Sequence, residues 1–237
     1  MANVESDGGG VDERAARGRG RVWFAFVVTT LLGLVADLGS KELAFRNIAD
    51  EPFRPNRTQV LHLLKEAPNE IMILVPRHGP VTVIPNVLDF QLVLNAGAVF
   101  GAGQGKRWFF IGFTVVALLF AMTLLLRWTD RRDWLAHVAV GMVVSGGVGN
   151  LYDRVVYGCV RDFIHPLPGV KLPFGLTWPH GSDEVWPYIS NVADAVLLIG
   201  IGVLMVKLWR GEKARQPGPG AATPTPANPP AGASGGA

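Results

Sequence analysis

Four apolar runs of roughly bilayer-crossing length leave this chain little choice of architecture. They are "VWFAFVVTTLLGLVA" (Val22 to Ala36), "WFFIGFTVVALLFAMTLLL" (Trp108 to Leu126), "WLAHVAVGMVVSGGVGNLY" (Trp134 to Tyr152) and a stretch from about Trp186 to Val206. The first run has the apolar character of a signal-peptide core, but no clean small-x-small cleavage site follows it and further runs come later, so it reads as a membrane helix. Composition agrees, since 49% of the 237 residues are hydrophobic and only 17% are charged, a low charge content for a soluble protein. The net charge of +3 comes from basic residues dispersed around the apolar runs, which is not the single basic patch of a nucleic-acid binder. A lone cysteine, Cys159, excludes an internal disulfide framework and any CxxC metal site.

Arginine and lysine placement predicts the orientation. The N-terminal arginines (Arg14, Arg17, Arg19, Arg21), "RWTDRRD" between the second and third runs, and "KLWRGEKAR" after the fourth all fall on one side. Both termini are therefore expected in the cytoplasm, with residues 38–107 and 153–185 on the outer side, where Trp178, Trp186 and Tyr188 suit an aromatic belt. Residues 1–21 and 210–237 read as disordered cytoplasmic tails, the latter rich in Pro, Gly and Ala. Residues 22–209 read as one membrane domain with extracytoplasmic insertions at about 42–105 and 163–187. Within the first insertion, "TQVLHLL", "EIMILVP" and "PVTVIPNVLDFQLVLN" read as strand pieces, and Leu88, Phe90, Leu92 and Leu94 alternate at period two. The predicted fold class is an α-helical membrane protein, four transmembrane helices carrying a small extracytoplasmic β-sheet platform. In the third helix Gly141, Ser145 and Gly149 recur every four residues, which fits close helix packing.

Polar residues at the ends of these helices need a reason, because charge in lipid is costly unless paired, hydrated or functional. Asp37 and Lys41 in "DLGSK" are one helical turn apart and suited to an ion pair anchoring the helix. Asn95 and Gly97 in "NAGAVFG" form a polar site or a Gly-rich turn. Asn150, Asp153 and Arg154 share a face if the third helix continues, and Arg154 is then placed to neutralise Asp153. In "NVAD", Asn191 and Asp194 lie at i and i+3, a site pair or a helix-start acid. Asp162 follows the third helix, and the topology brings it to the same depth as Asp194. Two carboxylates close together in a low-dielectric pocket share one proton, which is the chemistry of an aspartic protease and needs no cofactor, metal or covalent intermediate.

"DLGSK", "NAGAVFG", "GGVGNLYDRVVYGCVRDF" and "NVAD", in this order and on these helices, resemble the motif set of lipoprotein signal peptidase, or signal peptidase II, from about Val22 to Trp209. The resemblance implies a bacterial inner-membrane aspartic endopeptidase. Such an enzyme removes the signal peptide from diacylglyceryl-modified prolipoproteins, cutting before the lipidated cysteine. It implies a catalytic dyad of Asp162 and Asp194, and a substrate-binding or site-supporting set of Asn95, Gly97, Asn150, Arg154 and Asn191. Asp37, Lys41 and Asp153 fall on positions of structural polarity. The implied partners are prolipoprotein substrates and membrane lipids, with no nucleic acid and no obligate protein partner. The sequence departs from the family pattern at Leu38, where glutamine is usual, and in two long insertions, Asn47 to Asn86 and the stretch from His165 to Tyr188. The competing reading is a non-enzymatic four-helix lipid-binding scaffold or a proton-coupled carrier using Asp194. An intramembrane presenilin-like protease would need a Gly-x-Gly-Asp motif, which is absent. His165, His180, Asp183 and Glu184 match no standard metal-ligand spacing.

Overall fold

The computed structural model describes residues 8–97, 106–129, 133–179 and 181–215, and the side chains of residues 8–19, Trp128 and 211–215 are outside that description. The far ends of both expected tails, the second half of "NAGAVFG", the centre of "RWTDRRD" and His180 lie outside the described residues.

Helices α1 (Gly8–Asn47), α3 (Arg107–Trp128), α4 (Trp134–Val156) and α5 (Val192–Arg215) carry the four apolar runs. All four are long and apolar enough to cross a membrane. Two expected boundaries are corrected. Residues 8–21, read as a disordered tail, are helical, because Glu13 to Arg17 are good helix formers continuous with the apolar run. Helix α5 starts at Val192, not near Trp186, and continues to Arg215. Asp37 and Lys41 also sit within the body of α1, which runs on through "ELAFRN".

Helix α4 is the hub. Half of its most apolar window is buried, against 11% for the other three helices, whose exposed faces carry side chains such as Phe24, Leu32, Phe120 and Leu198. Such apolar exposure suits contact with lipid. The glycines of α4 let its neighbours approach: a Cβ at Gly141 would meet the Phe26 carbonyl of α1, and one at Gly149 would collide with the Asp37 carboxylate. The chain divides after Leu204, and the second unit, Met205–Ala237, contains the last turns of α5.

At one end of the bundle lies a three-stranded antiparallel sheet in the order β1 (Val81–Ile84), β2 (Leu88–Asn95), β3 (Val160–Pro166). The β2 alternation holds at Leu92 and Leu94, both buried, and is broken toward its start by a register shift between Phe90 and Val93. The other two predicted strand pieces are corrected. "TQVLHLL" lies in helix α2 (Arg57–Glu66), whose start is fixed by Asn56 accepting from the Thr58 and Gln59 N–H groups, an N-cap that overrides the β-branched composition. "EIMILVP" forms a 3₁₀ helix, Pro68–Leu74, and the chain beyond it. Ala44 and Phe45 of α1, Val60 and Leu64 of α2, Ile71, Leu92, Leu94 and Phe163 make one apolar core beneath the sheet. This core ties β3 to the end of α1 and so fixes the position of Asp162 on that strand.

The second insertion folds on itself. Leu172 donates to the Asp183 carbonyl at 2.7 Å and Val185 to the Val170 carbonyl at 2.7 Å. Lys171 pairs with Asp183 at 2.7 Å, and the Trp178 indole donates to the Glu184 carbonyl at 2.8 Å. The resulting hairpin delivers Trp186 and Tyr188 to the wall of a cavity.

Candidate active site

Four polar side chains meet behind that cavity, and their charges balance. Asp37, Lys41, Asp153 and Arg161 are all buried. Lys41 reaches Asp37 at 2.8 Å and Asp153 at 3.3 Å, while Arg161 reaches Asp153 through Nε at 3.2 Å and its terminal nitrogen at 3.0 Å. Two cations thus neutralise two anions, which is what makes burying them tolerable when each unpaired ion would cost several kcal/mol. The expected Asp37–Lys41 pair is present. The expected Asp153–Arg154 neutralisation is corrected, because β3 returns beside α4 and places Arg161 on Asp153 from its backbone N–H as well as its guanidinium. Helical spacing alone cannot reveal a partner on a following strand. Released from that role, Arg154 donates to the Gly97 carbonyl at 3.1 Å and lies over the Phe110 ring.

In front of this cluster stand the two carboxylates. Asp162, on β3, is fully buried and accepts on each oxygen: from Asn95 at 3.0 Å and from Asn191 at 2.5 Å. Asp194, in the first turn of α5, is half-buried. It accepts from the Asn150 amide at 2.7 Å and from the Asn191 backbone N–H at 3.3 Å, while the Asn191 side chain accepts from the Asp194 N–H at 3.1 Å. This reciprocal pair is a capping box, so the sequence that starts α5 also fixes one carboxylate. One asparagine, Asn191, therefore touches both acids. Gly97 donates to Asn95 Oδ1 at 3.0 Å and so fixes the orientation of the Asn95 amide toward Asp162.

Burial, and then the neighbouring Asp194 charge, push the Asp162 carboxyl up to about 7, against the opposing amide hydrogen bonds from Asn95 and Asn191. Near neutral pH such a group keeps a proton that an exposed aspartate loses. Burial pushes the Cys159 thiol up, so it is no nucleophile, in keeping with its role as a small buried side chain.

Both carboxylates line a cavity of about 850 Å³, large enough for a peptide segment. Asn95, Gly97, Asn150, Arg154 and Asn191 line it too, so every sequence-predicted site-supporting residue is gathered here. Asp37, Lys41 and Asp153 stand behind the wall. The apolar lining includes Ile71, Met72, Trp186, Tyr188 and Leu198; the sequence marks Trp186 and Tyr188 only as aromatic-belt residues and carries no signal that sets the others at a site. Among the metal candidates, His165 lies 3.5 Å from Glu184, and Asp183 is engaged by Lys171.

Comparison with known proteins fits this geometry. The family model described as signal peptidase (SPase) II matches residues 29–210. The chain is 30% identical over 129 residues to the lipoprotein signal peptidase of Desulfitobacterium hafniense, covering 53% of this chain and 72% of that protein. It is 38% identical over 129 residues to that of Dichelobacter nodosus, covering 52% and 73%. A third relative, the lipoprotein signal peptidase of Symbiobacterium thermophilum, is 34% identical over 131 residues, covering 55% and 76%. With four apolar helices, a sheet at one end, and Asn95, Gly97, Asn150, Arg154, Asp162, Asn191 and Asp194 gathered around one cavity, this chain belongs to the signal peptidase II family, a multi-pass bacterial membrane peptidase.

Proposed function

We propose that the chain removes signal peptides from diacylglyceryl-modified prolipoproteins, cutting before the lipidated cysteine, with Asp162 and Asp194 as an aspartic dyad. The observation that carries this reading is the pair of carboxylates bridged by Asn191 at the wall of one cavity. Asp194, ionised, takes a proton from a water molecule as its oxygen attacks the scissile carbonyl carbon. Asp162, neutral near pH 7, donates its proton to the carbonyl oxygen, giving a gem-diol. Collapse of the gem-diol breaks the C–N bond as a proton passes to the leaving amine, and the dyad ends with the one proton it started with. Arg154 and Asn95, fixed on Gly97, offer polar contacts to an extended substrate backbone, and the apolar wall suits a hydrophobic signal peptide.

The distribution of arginine and lysine supports cytoplasmic termini and a cavity at the outer face of the inner membrane. Lipid-exposed helices let a membrane-embedded substrate arrive laterally. The scaffold or carrier alternative is less well supported, because neither explains why a second, fully buried carboxylate is held beside Asp194. Incubation of the purified protein with a diacylglyceryl-modified prolipopeptide and its unlipidated counterpart tests the proposal. Mass spectrometry should show cleavage only of the lipidated form, before the modified cysteine. Equal cleavage of both would remove the lipid requirement, and cleavage of neither would favour the scaffold.

A further inference from the structure

The residue assigned above to charge balance, Lys41, also touches the site through one intermediary. Its ammonium has three donors and no acceptor. It donates to Asp37 at 2.8 Å and to Asn150 Oδ1 at 3.1 Å, with Asp153 ion-paired at 3.3 Å. Asn150 Oδ1 accepts a second bond, from the Asn191 amide at 3.1 Å. A flipped Asn150 would turn its NH₂ toward an ammonium and another NH₂, donor against donor. The only orientation compatible with both neighbours presents the Asn150 NH₂ to Asp194 Oδ1, at 2.7 Å. An amide donor there satisfies an ionised Asp194 and opposes a proton on that oxygen.

We propose that Lys41 is a positioning residue for the hydrolytic reaction: together with the Asn191 amide it locks Asn150 and so holds Asp194 as the ionised member of the pair, leaving the dyad proton to Asp162. This rests on the dyad reading and assigns its asymmetry to a side chain outside the cavity. The groups around Asp194 are Asn150 and Arg154 from α4, Asp162 from β3, Asn191 from the start of α5, and the Asp37–Lys41 pair from α1 behind Asn150, with Asp153 beyond it. Arg154 is the other cation acting on Asp194. It does not touch Asn150's side-chain oxygen, bonding instead to that residue's backbone carbonyl, so it cannot substitute for Lys41 in fixing the amide.

The test compares pH profiles of kcat/KM on a lipidated prolipopeptide for wild type and four variants. Asp37→Asn/Lys41→Met removes the buried pair together, leaving no unpaired charge. Asp37→Asn and Lys41→Arg each retain a cationic donor at position 41. Asn150→Asp keeps the shape but replaces the donor facing Asp194 with an acceptor. The acidic limb should move to higher pH by about one unit in the double variant and in Asn150→Asp. In Asp37→Asn and Lys41→Arg it should stay where wild type has it. A purely structural role would lower the folded fraction without moving the limb. A wild-type acidic limb in the double variant or in Asn150→Asp overturns the proposal. If the double variant does not fold, an unmoved acidic limb in Asn150→Asp still overturns the proposal, since even the added carboxylate would then fail to shift Asp194. Inactive Asp162→Asn and Asp194→Asn variants measured alongside show that the dyad reading itself stands.

Discussion

Replacing Asn95 with alanine should move the alkaline limb of the activity profile upward, and the direction follows from the site. Asp162 carries the proton in the proposed cycle and is held up to about 7 by burial and by Asp194, while the Asn95 amide, at 3.0 Å, opposes that rise. A group with a raised pKa is protonated, and here active, below that value, and loses its proton as pH climbs through it. Removing a donor to the ionised form raises the value further. A hydrogen bond to a charged group contributes about 1.5–3 kcal/mol, and about 1.4 kcal/mol corresponds to one pH unit. Water entering the vacated space recovers part of it, so the net shift is about one unit, from near 7 toward 8. The assay is kcat/KM from pH 5 to 9.5, in liposomes, on a lipidated prolipopeptide carrying a fluorophore and quencher on either side of the cut. The absolute rate should fall, because Asn95 also lines the cavity, but limb position is independent of rate. An alkaline limb that stays put or moves down would refute the assignment of the dyad proton to Asp162.

Other consequences follow from the buried charges and the glycine contacts. Arg161→Leu removes the main partner of Asp153 and should destabilise the protein by about 3–5 kcal/mol, seen as a fall in Tm of roughly 6–20 °C in detergent; an unchanged Tm would show that Lys41 alone suffices. Gly149→Ala drives a methyl group into the Asp37 carboxylate and should cost about 1–3 kcal/mol, whereas Gly39→Ala on α1, with open space around it, should be neutral or slightly stabilising. Equal behaviour of the two would contradict the packing described.

Much of this architecture can be read from sequence because membrane helices announce themselves by length and apolarity, and the motif residues cluster at their ends. The platform is harder. In α2 the Thr58 and Val60 side chains read as strand formers, and the Asn56 cap together with the burial of Val60 and Leu64 favours the helix instead. Strand β3 shows no alternation, since Val160 to Phe163 are buried on both faces, so a period-two search passes over it. That strand is also what re-pairs Asp153 with Arg161 and frees Arg154, a rearrangement set by long-range topology. Asp162 and Asp194 stand out in the sequence partly by residue type and chiefly by the resemblance to the signal peptidase II motifs, and the fold sets both at the wall of one cavity. The role of Asn150 as a bridge between Lys41 and Asp194 needed coordinates, because an amide's orientation depends on which neighbours donate and which accept.

The most direct measurement of the central claim is cleavage of a diacylglyceryl-modified prolipopeptide by Asp162→Asn and Asp194→Asn, each purified and shown to be folded by its melting curve. Asparagine keeps the shape and hydrogen-bonding reach of aspartate but cannot exchange a proton with water. Each variant should lose at least about a thousandfold in kcat, the scale set by general acid–base catalysis acting with electrostatic stabilisation, and the double variant should be no worse than either alone, as for groups that act as a unit. Folded single variants that cleave at more than about a tenth of the wild-type rate would contradict the dyad.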